Sequence, residues 1–215
     1  MDYNKGETTM TKQNDKPYCF CEVTKDTCEN CFTVIDIETT GFGDRAGIVE
    51  LAAVKFKDGK VYDTFNSLIN PQIPIPPSAT MVHGIRDADV ADSPSLWEVM
   101  PYFEKFIGDS TLVGHNVSFD LNFLLRKGMK LNLRDRKIFD TLKIARKYVD
   151  APNHKLETMI YEFDIEVDKR HRATDDSIAT GELFLKLLDI AKGWVWYTSN
   201  SSFCCRGDSW IARIN

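Results

Sequence analysis

The sequence predicts an α/β layered domain built on one mixed β-sheet that is flanked by α-helices. Two observations predict it. Three strand-like segments come first, within residues 32–68, and tight turns join them. Helical and strand-like segments then alternate up to about residue 191. Because tight turns can join only antiparallel strands, the opening segments form an antiparallel meander. The alternation that follows adds helices to the faces of the same sheet.

The individual elements follow from short runs of apolar and β-branched residues. We expect strands at 32–37, 48–56 and 61–68, the last two joined by a hairpin turn. Four prolines within 71–77 predict an irregular loop. The pattern then predicts, in chain order, a helix after Pro94, a strand at 111–113, a helix at 117–127, a strand at 138–139, helices at 141–148 and 155–163, and a long helix from Ala173 to just before Gly193.

Two terminal segments lie outside this pattern. Residues 1–31 form a polar leader, expected to be disordered, that holds four of the six cysteines. Residues 192–215 carry three of the four tryptophans without an amphipathic period, and we interpret them as a disordered or non-native appendage. No stretch approaches 18 consecutive apolar residues, and the leader lacks the apolar run of a signal peptide. The sequence therefore predicts no membrane segment and a cytoplasmic location for the domain at 32–191.

The charge balance limits the possible partners. The net charge is −5, so the chain as a whole repels nucleic acid. A polyanionic partner would need bound cations or a local basic patch. One basic cluster could track a phosphate backbone, or could be only a solvated surface: residues 126, 127, 130, 134, 136, 137, 143, 146 and 147 are all Lys or Arg.

Two acids interrupt the first apolar strand. Asp36 and Glu38 are two residues apart, and therefore project from the same face of a strand. Solvated acids at a strand end would be the simpler interpretation. The Thr39-Thr40-Gly41 turn that follows favours a site, because open α/β sheets bind ligands at the carboxyl ends of their strands.

Two further acids lie near the starts of helices. Asp176 falls on the apolar stripe of the last helix and so points at the sheet. Asp120 lies early in the helix that follows Gly114-His115-Asn116. Taken alone, each could be a salt-bridged or helix-capping aspartate. Four carboxylates at one edge of the sheet would repel one another strongly, which favours neutralisation by cations.

This donor set predicts a two-metal site. All-oxygen ligation by Asp36, Glu38, Asp120 and Asp176 selects Mg²⁺ or Mn²⁺. Two such ions form a clamp for phosphoryl transfer. His171 comes five residues before Asp176 and is placed to deprotonate a water molecule, although alone it could be an ordinary loop histidine.

Three segments resemble the motifs of the DEDDh exonuclease superfamily. They are Phe32-Thr-Val-Ile-Asp-Ile-Glu-Thr-Thr-Gly41, Leu112-Val-Gly-His-Asn-Val-Ser-Phe-Asp-Leu-Asn-Phe-Leu124 and His171-Arg-Ala-Thr-Asp-Asp-Ser-Ile-Ala-Thr180. The linking segments Val82-His83-Gly84-Ile85 and Phe139-Asp-Thr-Leu142 match as well. The sequence is most similar to proofreading exonucleases, namely the epsilon subunit and the exonuclease domain of Gram-positive polymerase III.

The resemblance implies a ribonuclease-H-like fold and 3′→5′ hydrolysis that releases nucleoside 5′-monophosphates from nucleic-acid 3′ ends. Asp36 would bridge the two metals, Glu38 and Asp176 would complete one site, and Asp120 would hold the other. His171 would be the general base. Thr40 and Gly41 would contact the terminal nucleotide by their backbone, and His83 would line its base pocket.

The substrate and partners implied are single-stranded or frayed DNA ends and a DNA polymerase, in proofreading or repair. RNA is an alternative substrate. An inert nucleic-acid-binding or polymerase-binding module of the same fold is an alternative of another class.

The leader offers one more candidate site. Cys19, Cys21, Cys28 and Cys31 could hold one zinc ion and organise an interaction module, although the first pair is closer together than in the usual pattern. Free thiols are the simpler interpretation.

Overall fold

The computed structural model describes residues 31–168 and 171–193. Its strands are β1 (Cys31–Thr39), β2 (Ile48–Lys57), β3 (Lys60–Leu68), β4 (Leu112–Gly114) and β5 (Ile138–Asp140). They form one sheet in the order β3-β2-β1-β4-β5. The first three strands pair antiparallel, whereas β4 runs parallel to both β1 and β5. The predicted mixed sheet with an antiparallel opening meander is confirmed.

The helices of the described ranges lie on both sides of this sheet. They are α1 (Pro77–His83), α2 (Asp87–Val90), α3 (Leu96–Ile107), α4 (Ser118–Arg126), α5 (Thr141–Tyr148), α6 (Leu156–Glu162) and α7 (Ala173–Ala191). The sequence pattern did not predict α1 and α2, which are too short to show a helical period. The proline-rich loop ends earlier than expected, because Pro77 begins α1 at a position where no backbone N–H is needed.

Alternate residues of β1 face two different hydrophobic cores. Ile35 and Ile37 pack with side chains of α3 and α4 on one face. Phe32 and Val34 pack with side chains of α5, α6 and α7 on the other. Since side chains alternate along a strand, Asp36 and Glu38 continue the face of Phe32 and Val34 toward α7.

The long helix α7 packs tightly on that second face. Its predicted stripe is buried at Asp176, Thr180, Leu183, Phe184, Leu187 and Leu188, and Ala191 at its end is half-buried. A Cβ atom added to Gly181 would overlap the Phe56 ring of β2. The absence of a side chain at Gly181 therefore allows α7 to approach the sheet and brings Asp176 close to β1.

Within residues 31–168 and 171–193, none of the helices combines the length and the apolar character needed to cross a bilayer.

Candidate active site

The carboxyl end of β1 is open on the side that faces β4. β4 pairs with β1 only at Thr33 and Val34, because it ends at Gly114. Beyond that point the Ile37 N–H donates instead to Oδ1 of Asp120, over 3.2 Å. Asp120 lies in the first turn of α4 and is 4% exposed. This bond holds a buried carboxylate of α4 beside the two acids of β1.

Three of the four predicted acids form a compact group. One carboxylate oxygen from each of Asp36, Glu38 and Asp176 lies within 4.8 Å of the others. Asp36 and Glu38 are half-buried, and Asp176 is buried at the start of α7. Asp120 lies outside this group but close enough for its charge to act on Asp36. The structure therefore brings Asp36, Glu38 and Asp176 together and places Asp120 near Asp36, whereas their role as a shared metal site stays a prediction.

The electrostatics of the acidic group favour bound cations. Burial raises the pKa of Asp36, and the charges of Asp120 and Glu38 raise it further. Burial and the charge of Asp176 raise the pKa of Glu38 to about 8. Burial also raises the pKa of Asp120 to about 8, although hydrogen bonds from backbone N–H groups oppose the shift. Groups of this kind keep protons near neutral pH, and a divalent cation would displace those protons.

The donor chemistry fits hard divalent ions. All four side chains offer carboxylate oxygens, the ligands that Mg²⁺ and Mn²⁺ prefer. Three of them already lie within the span of one coordination sphere. The residues therefore fit the divalent ions that the sequence resemblance implies.

His171 lies two residues before α7, in an unusual backbone conformation. Its φ is +58°, which non-glycine residues rarely adopt. The imidazole is 40% exposed, and its Nε2 lies 3.4 Å from Oε1 of Glu157 in α6. This contact orients the ring, which remains partly accessible to solvent.

Thr40 and Gly41 form the turn after β1. Thr40 is buried, and it is tied to Gly47 twice: its N–H donates to the Gly47 carbonyl, and its Oγ1 accepts from the Gly47 N–H, each over 2.9 Å. Gly41 has a φ of +146°, and a Cβ placed on it would meet no atom within 4 Å. Thr40 thus anchors the turn, whereas the space beside Gly41 admits a ligand close to the backbone.

His83 ends α1 and is buried beside the end of β1. Its Nδ1 accepts a hydrogen bond from the Ile85 N–H, over 3.0 Å. Burial lowers the pKa of His83, while the backbone of Thr39 and the charge of Glu50 act in the opposite direction. The ring is therefore a neutral, apolar-sided group near Thr39, where it could line a pocket.

Sequence reasoning did not single out Glu50 and Arg172. Glu50 lies on β2 opposite Glu38 of β1, and its carboxylate is fully buried. Oε1 of Glu50 lies 2.8 Å from a terminal nitrogen of Arg172, the residue that precedes α7. A signal was present, because Glu50 is an acid inside the otherwise apolar run 48–54 of β2. Its partner could not be predicted, since it is 122 residues away in the chain.

The predicted basic cluster is partly used by the fold itself. The Arg136 side chain is 6% exposed and donates to the carbonyls of Gly108 and Ser110. Arg126 lies 3.6 Å from Asp44, and the Lys127 ammonium donates to the Asp44 carbonyl over 3.4 Å. Arg136 is therefore not available to a nucleic acid, contrary to the expectation for that residue.

Of the proposed zinc ligands, only Cys31 lies in the described part of the chain. It is exposed, at the first position of β1. Cys19, Cys21 and Cys28 lie outside the described residues, as do most of the predicted leader and appendage. The zinc site remains a prediction.

Comparison with known proteins identifies the family. The family model RNase_T, described as an exonuclease, matches residues 33–184. The chain therefore belongs to this exonuclease family, and the match lies within the domain predicted at 32–191. The predicted exonuclease family and the ribonuclease-H-like fold are confirmed.

Curated relatives include polymerase proteins that are much longer. A PolC-type DNA polymerase III of Caldanaerobacter subterraneus is 42% identical over 164 residues, which are 75% of this chain and 12% of the relative. The Bacillus cereus protein of the same name is 37% identical over 90% of this chain and 14% of its own length. A DNA polymerase III subunit epsilon-like protein of Rhodobacter capsulatus is 39% identical over 75% of this chain and 24% of its own length. The chain thus spans a small part of each relative.

Solved structures of exonucleases share the fold. Exonuclease X in complex with 5′-overhanging duplex DNA is 29% identical, with a TM-score of 0.60, and the match covers 76% of this chain and 93% of that one. The nuclease domain of 3′hExo, a DEDDh family member bound to rAMP, is 18% identical, with a TM-score of 0.62, over 74% and 92% of the two chains.

Proposed function

We propose that the chain is a metal-dependent 3′→5′ exonuclease that hydrolyses phosphodiester bonds at DNA 3′ ends and releases nucleoside 5′-monophosphates. The observation that supports it most strongly is the meeting of Asp36, Glu38 and Asp176 within 4.8 Å. The proposal joins this geometry to the exonuclease family of the chain.

The acidic group would hold two divalent cations, Mg²⁺ or Mn²⁺. Asp36 is suited to contact both cations, because it lies close enough to Glu38 and Asp176 on one side and to Asp120 on the other for their charges to raise its pKa. Glu38 and Asp176 would complete one site, and Asp120 would contribute to the second from α4. Bound cations would supply a polarised water nucleophile and stabilise the charge that develops on the phosphate oxygens.

His171 would act as the general base. When Nε2 donates to Glu157, the imidazole keeps its proton there and leaves Nδ1 as an acceptor. A histidine suits this task because its ordinary pKa lies near neutrality. The partial exposure of its side chain would let it pass the proton to solvent.

The terminal nucleotide would lie against the turn after β1. The open space at Gly41 would admit it close to the backbone, and the buried Thr40 would hold the turn rigid. The neutral His83 ring would line the base pocket beside Thr39.

We infer DNA as the substrate and a DNA polymerase as the partner from the relatives. The PolC-type and epsilon-like proteins are named as DNA polymerase III components, and Exonuclease X was solved with DNA. This favours a proofreading or repair role, in the cytoplasm. The names of these relatives also favour DNA as the substrate, and RNA is the alternative substrate to be measured.

The proposal is tested with 3′-labelled and 5′-labelled oligonucleotides, as DNA and RNA, single-stranded and duplex. We expect nucleoside monophosphates from the 3′ end of single-stranded DNA with Mg²⁺ or Mn²⁺, and none with chelator. Faster release from RNA would reassign the substrate. If the protein binds the nucleic acid but releases nucleotides from none of these substrates, the chain is an inert binding module and not an enzyme.

A further inference from the structure

An ion pair between a buried acid and a partly exposed arginine lies next to the acidic group. Glu50 of β2 is fully buried, and Arg172 is 36% exposed. Two guanidinium nitrogens of Arg172 donate to the Glu50 carboxylate: Nε lies 3.0 Å from Oε2, and the terminal nitrogen Nη2 lies 2.8 Å from Oε1. Paired bonds of this kind are strong and fix orientation as well as distance.

The same carboxylate also holds the first residue of α7. Oε2 of Glu50 accepts from the Ala173 N–H over 3.1 Å, and Oε1 accepts from the Asn66 amide over 2.9 Å. Arg172 is the N-cap residue of α7, and its own side chain makes no capping bond. Glu50 therefore caps the helix from a neighbouring strand, which satisfies one of the N–H groups that a helix start leaves open.

The two residues held in this way stand between His171 and Asp176. The Asp176 N–H donates to the Arg172 carbonyl over 2.9 Å, so the first turn of α7 builds directly on Arg172. On the other side, His171 has a φ of +58°, a conformation that the surrounding structure must maintain. Displacement of Arg172 would thus move both side chains.

We propose that the Glu50–Arg172 pair is a positioning device that sets His171 and Asp176 against Asp36 and Glu38. The inference rests on the proposed function of the acidic group. Glu50 and Arg172 act through their neighbours and are positioning residues. The register supports this, because Glu50 lies directly opposite Glu38, and the pair therefore fixes α7 to the same level of the sheet as the acids of β1.

The first test is Arg172→Lys, which keeps the positive charge and removes the two-nitrogen grip. We expect kcat to fall by about 10- to 100-fold, with KM changed by less than about twofold, because outer residues of a metal site act on that scale. Mn²⁺ affinity, measured by calorimetry without nucleic acid, should weaken by about tenfold. Glu50→Gln, which keeps the shape but not the charge, should give the same pattern.

The matched control is Arg136→Lys. Arg136 is likewise an arginine whose guanidinium makes hydrogen bonds within the fold, in its case to backbone carbonyls, but it precedes β5 and lies at the opposite end of the sheet. We expect Arg136→Lys to lower the thermal midpoint as Arg172→Lys does, and to leave kcat and Mn²⁺ affinity at wild-type values.

The outcomes separate the two proposals. If Arg172→Lys keeps wild-type kcat and Mn²⁺ affinity, or loses no more than Arg136→Lys, the positioning role is wrong. If the wild type binds Mn²⁺ but digests no nucleic acid, the proposed function fails, and the Mn²⁺ titrations alone still decide the positioning role. Should Arg172→Lys fold poorly, Glu50→Gln carries the same comparison.

Discussion

Glu50 lies beside the acidic group of Asp36, Glu38 and Asp176, but their surroundings shift carboxylate pKa values in opposite directions. Burial would raise the pKa of Glu50, yet hydrogen bonds from Arg172, Asn66 and the Ala173 N–H outweigh it and lower the pKa. For Glu38, directly opposite on β1, burial and the neighbouring acids raise the pKa to about 8, and the charge of Arg172 does not offset them. The fold neutralises the buried charge of Glu50 with its own side chains and backbone. The charges of the acidic group would have to be neutralised by protons or bound cations.

This difference is what we expect if the acidic group is a site that binds cations. Self-repulsion among buried carboxylates destabilises a fold and persists where function requires it. Glu50, an acid outside this group, is supplied with a cationic side chain and hydrogen-bond donors by the fold itself. The contrast therefore predicts different consequences when each is changed.

The largest expected effect is on activity, from Asp36→Asn. It removes the carboxylate that faces all the others, and we expect kcat to fall by roughly 10³-fold or more, as when one member of a catalytic unit is lost. At pH 9, where the acids of the metal-free protein lose their protons, the metal-free variant should also melt at a higher temperature than the metal-free wild type, because repulsion is relieved. An end-labelled digestion assay measures the loss of activity, and thermal melts in chelator measure the change in stability. Wild-type digestion by Asp36→Asn would remove Asp36 from the site.

Next in size is the loss of stability expected from Glu50→Ala. The change leaves the Arg172 guanidinium and the Ala173 N–H without their acceptor, and breaking such a pair costs about 3 kcal/mol of unfolding free energy. Urea unfolding in chelator measures it. If Glu50→Ala lowers the unfolding free energy no more than an exposed surface substitution does, Glu50 is not stabilised by its partners, and the contrast with the acidic group is wrong.

Much of this contrast could be predicted from the sequence. The spacing of Asp36 and Glu38, and the place of Asp176 on the apolar stripe of α7, gave the right faces, because strand and helix periods are local properties. Glu50 was missed since its role depends on the register of β1 with β2 and on an arginine far along the chain. The helices α1 and α2 were missed because they are too short to show a period.

The pH dependence of stability should also differ between the two groups. The folded-state pKa values of Glu38 and Asp120 are raised to about 8. Their contribution to stability is thus complete below the unfolded-state values of about 4 and is lost as pH rises through about 8. The pKa of Glu50 is lowered, so its contribution is present above about 4.5 and is lost as pH falls through the folded value.

We therefore expect the thermal midpoint of the metal-free protein to fall by several degrees between pH 6 and pH 9. Saturating Mg²⁺ should flatten that fall, because the cation replaces the protons. Scanning fluorimetry across pH, with chelator and with Mg²⁺, measures both curves. A midpoint that rises toward pH 9 in chelator would contradict the raised pKa values.

The smallest effect is expected at the exposed pair of Arg86 and Asp89. Their charged groups lie 3.0 Å apart, with side chains 70% and 34% exposed. Exposed pairs contribute little, since water solvates both partners nearly as well. Arg86→Ala should leave the thermal midpoint within error of the wild type. A loss comparable to that of Glu50→Ala would mean that burial does not set the difference.

Calorimetric titration of Mn²⁺ at pH 7, in two buffers of different ionisation enthalpy, tests most directly whether the carboxylates of β1 and α7 form a cation site. We expect the wild type to bind Mn²⁺ and to release protons as it does so, because Glu38 and Asp120 are largely protonated at that pH. Asp36→Asn should bind much more weakly. Equal binding by both proteins, or no binding by the wild type, would contradict the account.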